Sequence, residues 1–420
     1  MNIFKRVSAL ALALAMTVTC LTGCGGTSSS SSSAPAVPES IELTEVKDLY
    51  ETLSGIPGDT VVATAGEVEI SAGDLLYWVA YGADSMFQYY SMYGLTEMPW
   101  DTTDDDGKAL ADTLKTDALN SAAIYALAPV KAQEAGIELG EDFTNLVDST
   151  MTQMTTAFGG EDMMKYYLWQ YPLTIDGYKK MCESEEYNAR LMDSLYARGG
   201  SEYPSDAEVL EFVNNEMDLY SVKHILRFTI DPATNEALSD DEIAKQKALC
   251  DDIISQLKAS DNVPELFDSL MHEYSEDTGL AAYPDGYLAT SKGQMVPEFE
   301  EASLALKPGE FSGIVESDYG YHIILRLPLE VSADDYRENY AIKLMSDLQN
   351  KWLEENKVVT NENFDKIDPA AYFDTLGVLR DAINAKLDEF IAETEAMKDS
   401  LASGSTSASA STSAAASSAK

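Results

Sequence analysis

Histidine is nearly missing from this chain, with three in 420 residues. Cysteine is scarce too, at four, and no spacing matches a metal-ligand pattern. A metal centre is therefore not expected, and no cofactor is implied. Basic residues are also short: 28 Lys and Arg stand against 72 Asp and Glu, for a formal charge of −44. Nothing in that balance offsets the repulsion of a phosphate backbone, which excludes nucleic acid as a partner. The charge reads either as a means of solubility and colloidal stability or as an attraction for cationic unfolded polypeptides, and the first is the expectation. The apolar run Val7 to Thr19 is too short to cross a bilayer, which takes about 20 residues.

Lys5 and Arg6 precede that run, and Leu21-Thr22-Gly23-Cys24 follows it. A short positive region, an apolar core and a small-residue end read as a signal peptide over residues 1–23. The last four residues resemble the bacterial lipobox, where cleavage precedes the cysteine and the thiol carries a diacylglyceryl group. The resemblance implies lipidation at Cys24, with palmitate-type acyl chains, and anchoring at the extracytoplasmic face of the cell membrane. Ordinary secretory cleavage beside an incidental Cys24 is the other reading. Two or more acyl chains, at about 0.8 kcal/mol per buried methylene, make a stable anchor. Without Lys5 and Arg6 the mature chain stands at −46, with 26 basic and 72 acidic residues. Cys182 and Cys250 then remain. They either pair or stay as buried free thiols, and free thiols are the expectation because their separation suits no small stapled domain.

Residues 24–57 begin with a Gly/Ser/Ala/Pro tract and read as a flexible tether. Residues 399–420 are almost all Ser, Ala and Thr and read as a disordered tail. About 360 residues lie between, enough for two or three domains. Thr60–Ala65 and Val68–Ile70 are short strands around Gly66, and Ser71 with Asp74 opens a helix as a capping box. Residues 58–219 are then mainly helical, with Gly136, Gly159-Gly160 and Gly199-Gly200 as breaks. A cluster from Tyr77 to Trp100 is rich in Tyr and Met. It is either an adaptable surface for varied clients or a buried helix face, and the spacing of Trp78, Tyr81 and Ser85 favours the latter. Residues 330–398 are helical again, around a short extended piece at Val358-Val359.

Residues 220–329 differ. A β-rich strand, Tyr220–Phe228, leads into a helix capped by Ser239 and Glu242. Helices near Pro264 and Pro297 follow, then a Lys307-Pro308-Gly309-Glu310 turn and strands over Phe311–Val315 and His322–Leu327. Val222-Lys223-His224-Ile225-Leu226, Tyr274-Ser275-Glu276-Asp277-Thr278-Gly279 and Gly293-Gln294-Met295-Val296-Pro297-Glu298-Phe299-Glu300-Glu301-Ala302 stand in that order. Gly309-Glu310-Phe311-Ser312 and Gly320-Tyr321-His322-Ile323-Ile324 complete the set. Together they resemble the parvulin prolyl isomerases.

The resemblance implies an α+β fold: a parvulin domain, with a four-stranded antiparallel sheet and about four helices, inserted in a mainly helical SurA- and PrsA-like chaperone domain. It implies His224 and His322 as the paired histidines of the site floor, with Asp277 beside them. It implies Met295 and Phe299 as walls of a proline pocket, with Leu288 as a third wall. His272 has no motif partner and reads as a surface residue. The segment Pro284–Lys292 departs from the family: it is one residue short, with neither the second glycine nor the usual aromatic. Tyr319 stands where some parvulins carry a small hydroxyl residue. The implied function is prolyl cis–trans isomerisation and chaperoning of exported proteins with X–Pro bonds. A homodimer is left open. The alternative is a holdase whose parvulin domain is catalytically weak and only binds clients. A solute-binding lipoprotein would show repeated strand–helix alternation, which is not seen.

Overall fold

The computed structural model describes residues 36–103 and 107–414. The leader, Cys24, and residues 25–35 and 415–420 lie outside the described residues. The chain divides into two compact units. Unit 1 is built from residues up to 195 together with those from 345 onward, and unit 2 from residues 196–344.

In unit 1 a short helix, α1 (Leu49–Ser54), is followed by strands β1 (Val61–Ala65) and β2 (Val68–Ser71). Five helices come next: α2 (Ala72–Met92), α3 (Leu110–Glu134), α4 (Glu141–Phe158), α5 (Glu161–Trp169) and α6 (Ile175–Tyr196). The stretch read as tether to residue 57 is ordered at its end. Asp48 caps α1 by accepting from the backbone N–H of Tyr50 and Glu51, and Leu49, Tyr50, Leu53 and Ile56 are buried. Four apolar side chains in eight residues were enough to fold that segment onto the unit.

α11 (Ala333–Asn356), which spans the division at 344/345, leads to β7 (Val358–Thr360), α12 (Glu362–Lys366) and α13 (Pro369–Ala414). The returning chain is tied to the start of the unit in several places. β7 pairs antiparallel with β1, Ala63 opposite Thr360, in a sheet of order β2-β1-β7. Tyr372, fully buried, donates to the Leu76 carbonyl at 2.8 Å. Arg380 holds both oxygens of Asp84 at 2.7 Å, the bidentate geometry that makes such pairs strong. α13 continues to Ala414, so residues 400–414 are helical where composition suggested a disordered tail. Once a helix is nucleated, each added residue costs little, and alanine is the best helix former.

Unit 2 contains α7 (Asp206–Glu216), β3 (Leu219–Phe228), α8 (Asp240–Ala259), α9 (Val263–Tyr274), β4 (Tyr287–Ser291), α10 (Pro297–Ala305), β5 (Val315–Ser317) and β6 (Gly320–Leu327). The sheet is antiparallel in the order β4-β3-β6-β5. The expected strand at Phe311 reduces to a single bridge to Leu325. Strand alternation sends Ile225, Tyr321, Ile323 and Leu325 to one face, beneath α8 and α9, in a core that includes Cys250 and Phe267. The other face carries Tyr220, Val222 and Ile324, with Phe299 of α10 over them.

The unit is larger than residues 220–329. Val209 and Val213 of α7 pack with Ala333 of α11, Phe212 stacks on Tyr340 at 5.0 Å, and Arg337 pairs with Asp206 at 2.5 Å. These contacts join segments over a hundred residues apart, which moves the division out to 195/196 and 344/345. Cys182 and Cys250 are both free and buried. No helix among the described residues is long and apolar enough to cross a membrane.

Candidate active site

His224 lies in the middle of β3, opposite Ile324, while Leu226 is opposite His322. The two histidines are therefore diagonal neighbours on one sheet face, within reach of each other's rings. Their Nδ1 atoms are 3.3 Å apart, and both residues are buried. Past the end of β4, the edge of β3 is taken up by the segment after α9. The Leu226 carbonyl accepts from the Glu276 N–H at 2.9 Å, and Ser275 Oγ accepts from the Leu226 N–H at 3.2 Å. That pairing brings Asp277 Oδ2 to 3.0 Å from His224 Nε2.

The carboxylate has two further partners. The Tyr287 hydroxyl donates to Oδ2 at 2.8 Å, and the Gly279 N–H donates to Oδ1 at 3.0 Å. Residue 279 must be glycine for this, because a Cβ there would collide with the Tyr287 hydroxyl. Burial works against ionisation of Asp277. The hydrogen bond from His224, the Gly279 N–H, the charge of His224 and the Tyr287 hydroxyl outweigh it, and hold the carboxyl down at about 2. Burial, reinforced by the neighbouring His224 and opposed by Asp277, pushes His322 down to about 4. His322 is thus neutral at neutral pH. Its Nε2 is 2.7 Å from Ser317 Oγ.

Ionised Asp277 can only accept, so His224 presents a proton to it at Nε2, which leaves Nδ1 as the atom that can accept from His322. His322 then donates from Nδ1 and accepts from Ser317 at Nε2. This tautomer assignment follows from the hydrogen-bond network rather than from observed protons. The chain runs one way: Ser317 to His322, His322 to His224, His224 to Asp277.

Phe299, 3% exposed, stands edge-on to both rings, 5.0 Å from His224 and 5.3 Å from His322. Met295 packs in the same cluster. Of the six residues expected at the site, His224, His322, Asp277, Phe299 and Met295 come together. Leu288 does not: it is 58% exposed, and Tyr287 takes the inward place, its ring 5.5 Å from His224. The physical cause is a register shift between Tyr220 and Val222 in the β3–β4 ladder, with Ala289 at φ +49°. A slip of one residue in a strand exchanges its faces.

Two residues escaped the sequence reading. Tyr287, within the Pro284–Lys292 segment, supplies an aromatic beside His224. Ser317 supplies the hydroxyl expected at Tyr319, which is 48% exposed. Alternation would have found Ser317, since Ser317 lies opposite Gly320 two positions before His322. His272 is exposed, as expected. Among the described residues no cluster of His, Cys, Asp and Glu is placed to hold a metal ion.

The family model described as Rotamase, PPIC-type PPIASE domain, matches residues 224–327. The foldase protein PrsA of Staphylococcus aureus (strain MRSA252) is 32% identical over 179 residues, which cover 42% of this chain and 50% of that protein. The chain thus spans about half the length of the curated relatives it matches. The peptidylprolyl isomerase PrsA from Bacillus cereus is 15% identical with a TM-score of 0.27, covering 66% of this chain and 97% of that one. NmPin, the parvuline of Nitrosopumilus maritimus, is 30% identical with a TM-score of 0.18, over 26% of this chain and 96% of its own. Residues 224–327 are a parvulin domain of the PPIC-type PPIase family, in a chain homologous to the PrsA foldases.

Proposed function

We propose that unit 2 catalyses cis–trans exchange of X–Pro bonds and that unit 1 holds unfolded segments of exported proteins. The observation that carries the first half is the buried Ser317–His322–His224–Asp277 chain lying under Phe299 and Met295. Rotation about the peptide bond faces a barrier of about 20 kcal/mol because of its partial double-bond character. The twisted amide has lost that resonance and is less polar than the planar one. A pocket that grips the proline ring between Phe299, Met295 and the histidine floor, out of water, therefore binds the twisted form better than the planar form, which is what lowers the barrier. No covalent step is needed. Asp277 fixes the His224 ring and Tyr287 fixes Asp277, so the floor does not reorganise as the bond turns.

Exchange NMR on a short Ala–Pro peptide tests this reading. Wild type is expected to catalyse exchange, and to act no better on a phosphoserine–proline peptide. Reading a phosphate needs free guanidinium or ammonium donors, and Arg227 near the end of β3 is engaged by Gln246, the Tyr274 carbonyl and Glu276. Preference for the phosphorylated peptide would contradict the assignment of substrate. A folded wild type without catalysis would leave the holdase alternative. Leu288 favours that alternative, since its outward turn leaves one side of the pocket to Tyr287 alone.

The second half is supported by a cavity of about 590 Å³ in unit 1. Tyr77, Trp78, Tyr125, Trp169, Leu173 and Met181 line it, a mainly apolar surface within the size range of ligand pockets. The Leu21–Cys24 motif supports lipid anchoring at Cys24 on the outer face of the membrane. Cell fractionation of Cys24→Ala is expected to move the protein from the membrane pellet to the soluble fraction. Retention in the pellet would remove the anchor from this reading.

A further inference from the structure

The C-terminal half of α2 leaves an apolar stripe bare. Tyr81, Tyr89, Met92 and Tyr93 are 60%, 54%, 78% and 70% exposed. Their spacing puts them on one side of a helix. Leu95, in the turn that follows, is exposed as well. The opposite side of this half-helix is fixed: Ala83 is fully covered, and Phe87 sits 6.4 Å from Phe373 of α13. The helix is thus held in place while it presents the stripe. Tyr89 packs on Tyr93 at 5.1 Å and on Tyr90 at 5.6 Å, which makes the rings a continuous surface.

The charge in the stretch of sequence that carries the stripe is of one sign. Between Lys47 and Lys108 there is no Lys, Arg or His, and there are twelve Asp and Glu. Asp84 is neutralised by Arg380. Glu97 and Asp101, in the loop after α2, are exposed. Glu97 also acts on Asp374 of α13, whose carboxyl is pushed up by burial and then by Asp368 and Glu97. Carboxylates here crowd one another.

We propose that this stripe, Tyr81 to Leu95, with the acidic loop of Glu97 and Asp101 that follows it, docks cationic apolar segments of unfolded polypeptide. The favoured segments carry Lys or Arg interleaved with bulky apolar side chains. Tyrosine faces attract ammonium and guanidinium groups, methionine adapts to varied apolar partners, and the carboxylates of the following loop select against acidic segments. This inference rests on the chaperone half of the proposed function.

The test uses the full chain and two labelled, unstructured peptides, one of Lys and Leu spaced by Ser and one with Glu in place of Lys. Fluorescence anisotropy is expected to show the Lys peptide binding at least about tenfold tighter, and loosening with salt. The variant Tyr89→Ser/Met92→Ser/Tyr93→Ser is expected to weaken that binding about tenfold with an unchanged circular dichroism spectrum. If it misfolds, Glu97→Gln/Asp101→Asn takes its place, and loss of the preference for Lys over Glu is expected. Equal binding of both peptides, or binding that survives both variants, overturns the proposal. So does a dimer in sedimentation that the triple variant abolishes and the peptide does not displace, because the stripe would then be covered by a second copy. Suppression of client aggregation separates the two claims. If wild type and the triple variant suppress it equally, the docking surface is wrong and the chaperone reading stands. If wild type neither suppresses aggregation nor binds either peptide, both are wrong.

Discussion

Truncating Phe299 to alanine is expected to abolish catalysis and to destabilise unit 2 by about 3–5 kcal/mol, the range for large-to-small changes of a buried aromatic. The side chain is 3% exposed and meets Tyr220, Val222 and Ile324 as well as both histidines. A loss of that size is a large part of the roughly 5–15 kcal/mol that holds a domain together. Catalysis must therefore be separated from folding. Phe299→Leu retains most of the volume and is expected to cost less than about 1.5 kcal/mol. It removes the flat face set against the histidines, so exchange should still slow by about tenfold or more, each tenfold being about 1.4 kcal/mol of the barrier. A folded Phe299→Leu protein with the wild-type exchange rate would mean that this ring is not a wall of the proline pocket.

Acid is expected to loosen unit 2 in two stages. His322 titrates near 4 in the folded chain, against 6.5 for an unperturbed histidine. Between those values the unfolded chain binds the extra proton and the folded chain does not, so stability rises with pH across the window. It is complete above about pH 6.5 and falls as pH drops toward 4, by about 3 kcal/mol for a shift of this size. Asp277 then adds a second loss as pH falls from its ordinary 3.8 to about 2. The tryptophans are a poor probe here, because residues 78, 100, 169 and 352 all belong to unit 1. Amide hydrogen exchange at Ile225 and Ile323, buried in β3 and β6, reports on unit 2 directly. Protection should fall between pH 6.5 and 4.5, after correction for the intrinsic rate, and His322→Gln should remove most of that slope. An unchanged slope in the variant would assign the acid sensitivity to other groups.

What was legible in the sequence was mostly local. The capping boxes at Ser71, Ser205 and Ser239 need only residues three apart, and each helix begins where its box stands. The parvulin motifs brought His224, His322, Asp277, Met295 and Phe299 to one place because each sits inside a regular strand, turn or helix. Leu288 failed where regularity fails. A left-handed Ala289 and a shifted ladder are invisible to a reading that assumes strict alternation. The wider extent of unit 2 was not legible for another reason: Val209, Val213 and Ala333 each look like ordinary helix-face residues until the fold brings them together. The Tyr and Met cluster divides between the two readings offered. Phe87 and Trp100 pack on Phe373, whereas Tyr89, Met92 and Tyr93 stay in solvent.

The pairing of β1 with the returning chain sets an order of assembly. Asn361 Nδ2 donates to the Val61 carbonyl across a separation of 300 residues, so the sheet of unit 1 cannot close until nearly the whole chain has left the ribosome. Unit 2, continuous from 196 to 344, is complete before that, since its last residue precedes Asn361 in the chain. Closing a flexible loop costs entropy that grows with the logarithm of its length. A prefolded insert replaces about 150 flexible residues with a compact body, which shortens the effective loop. Mutations that unfold unit 2 should then also slow the closure of unit 1, a kinetic debt with no counterpart in any contact the finished molecule makes.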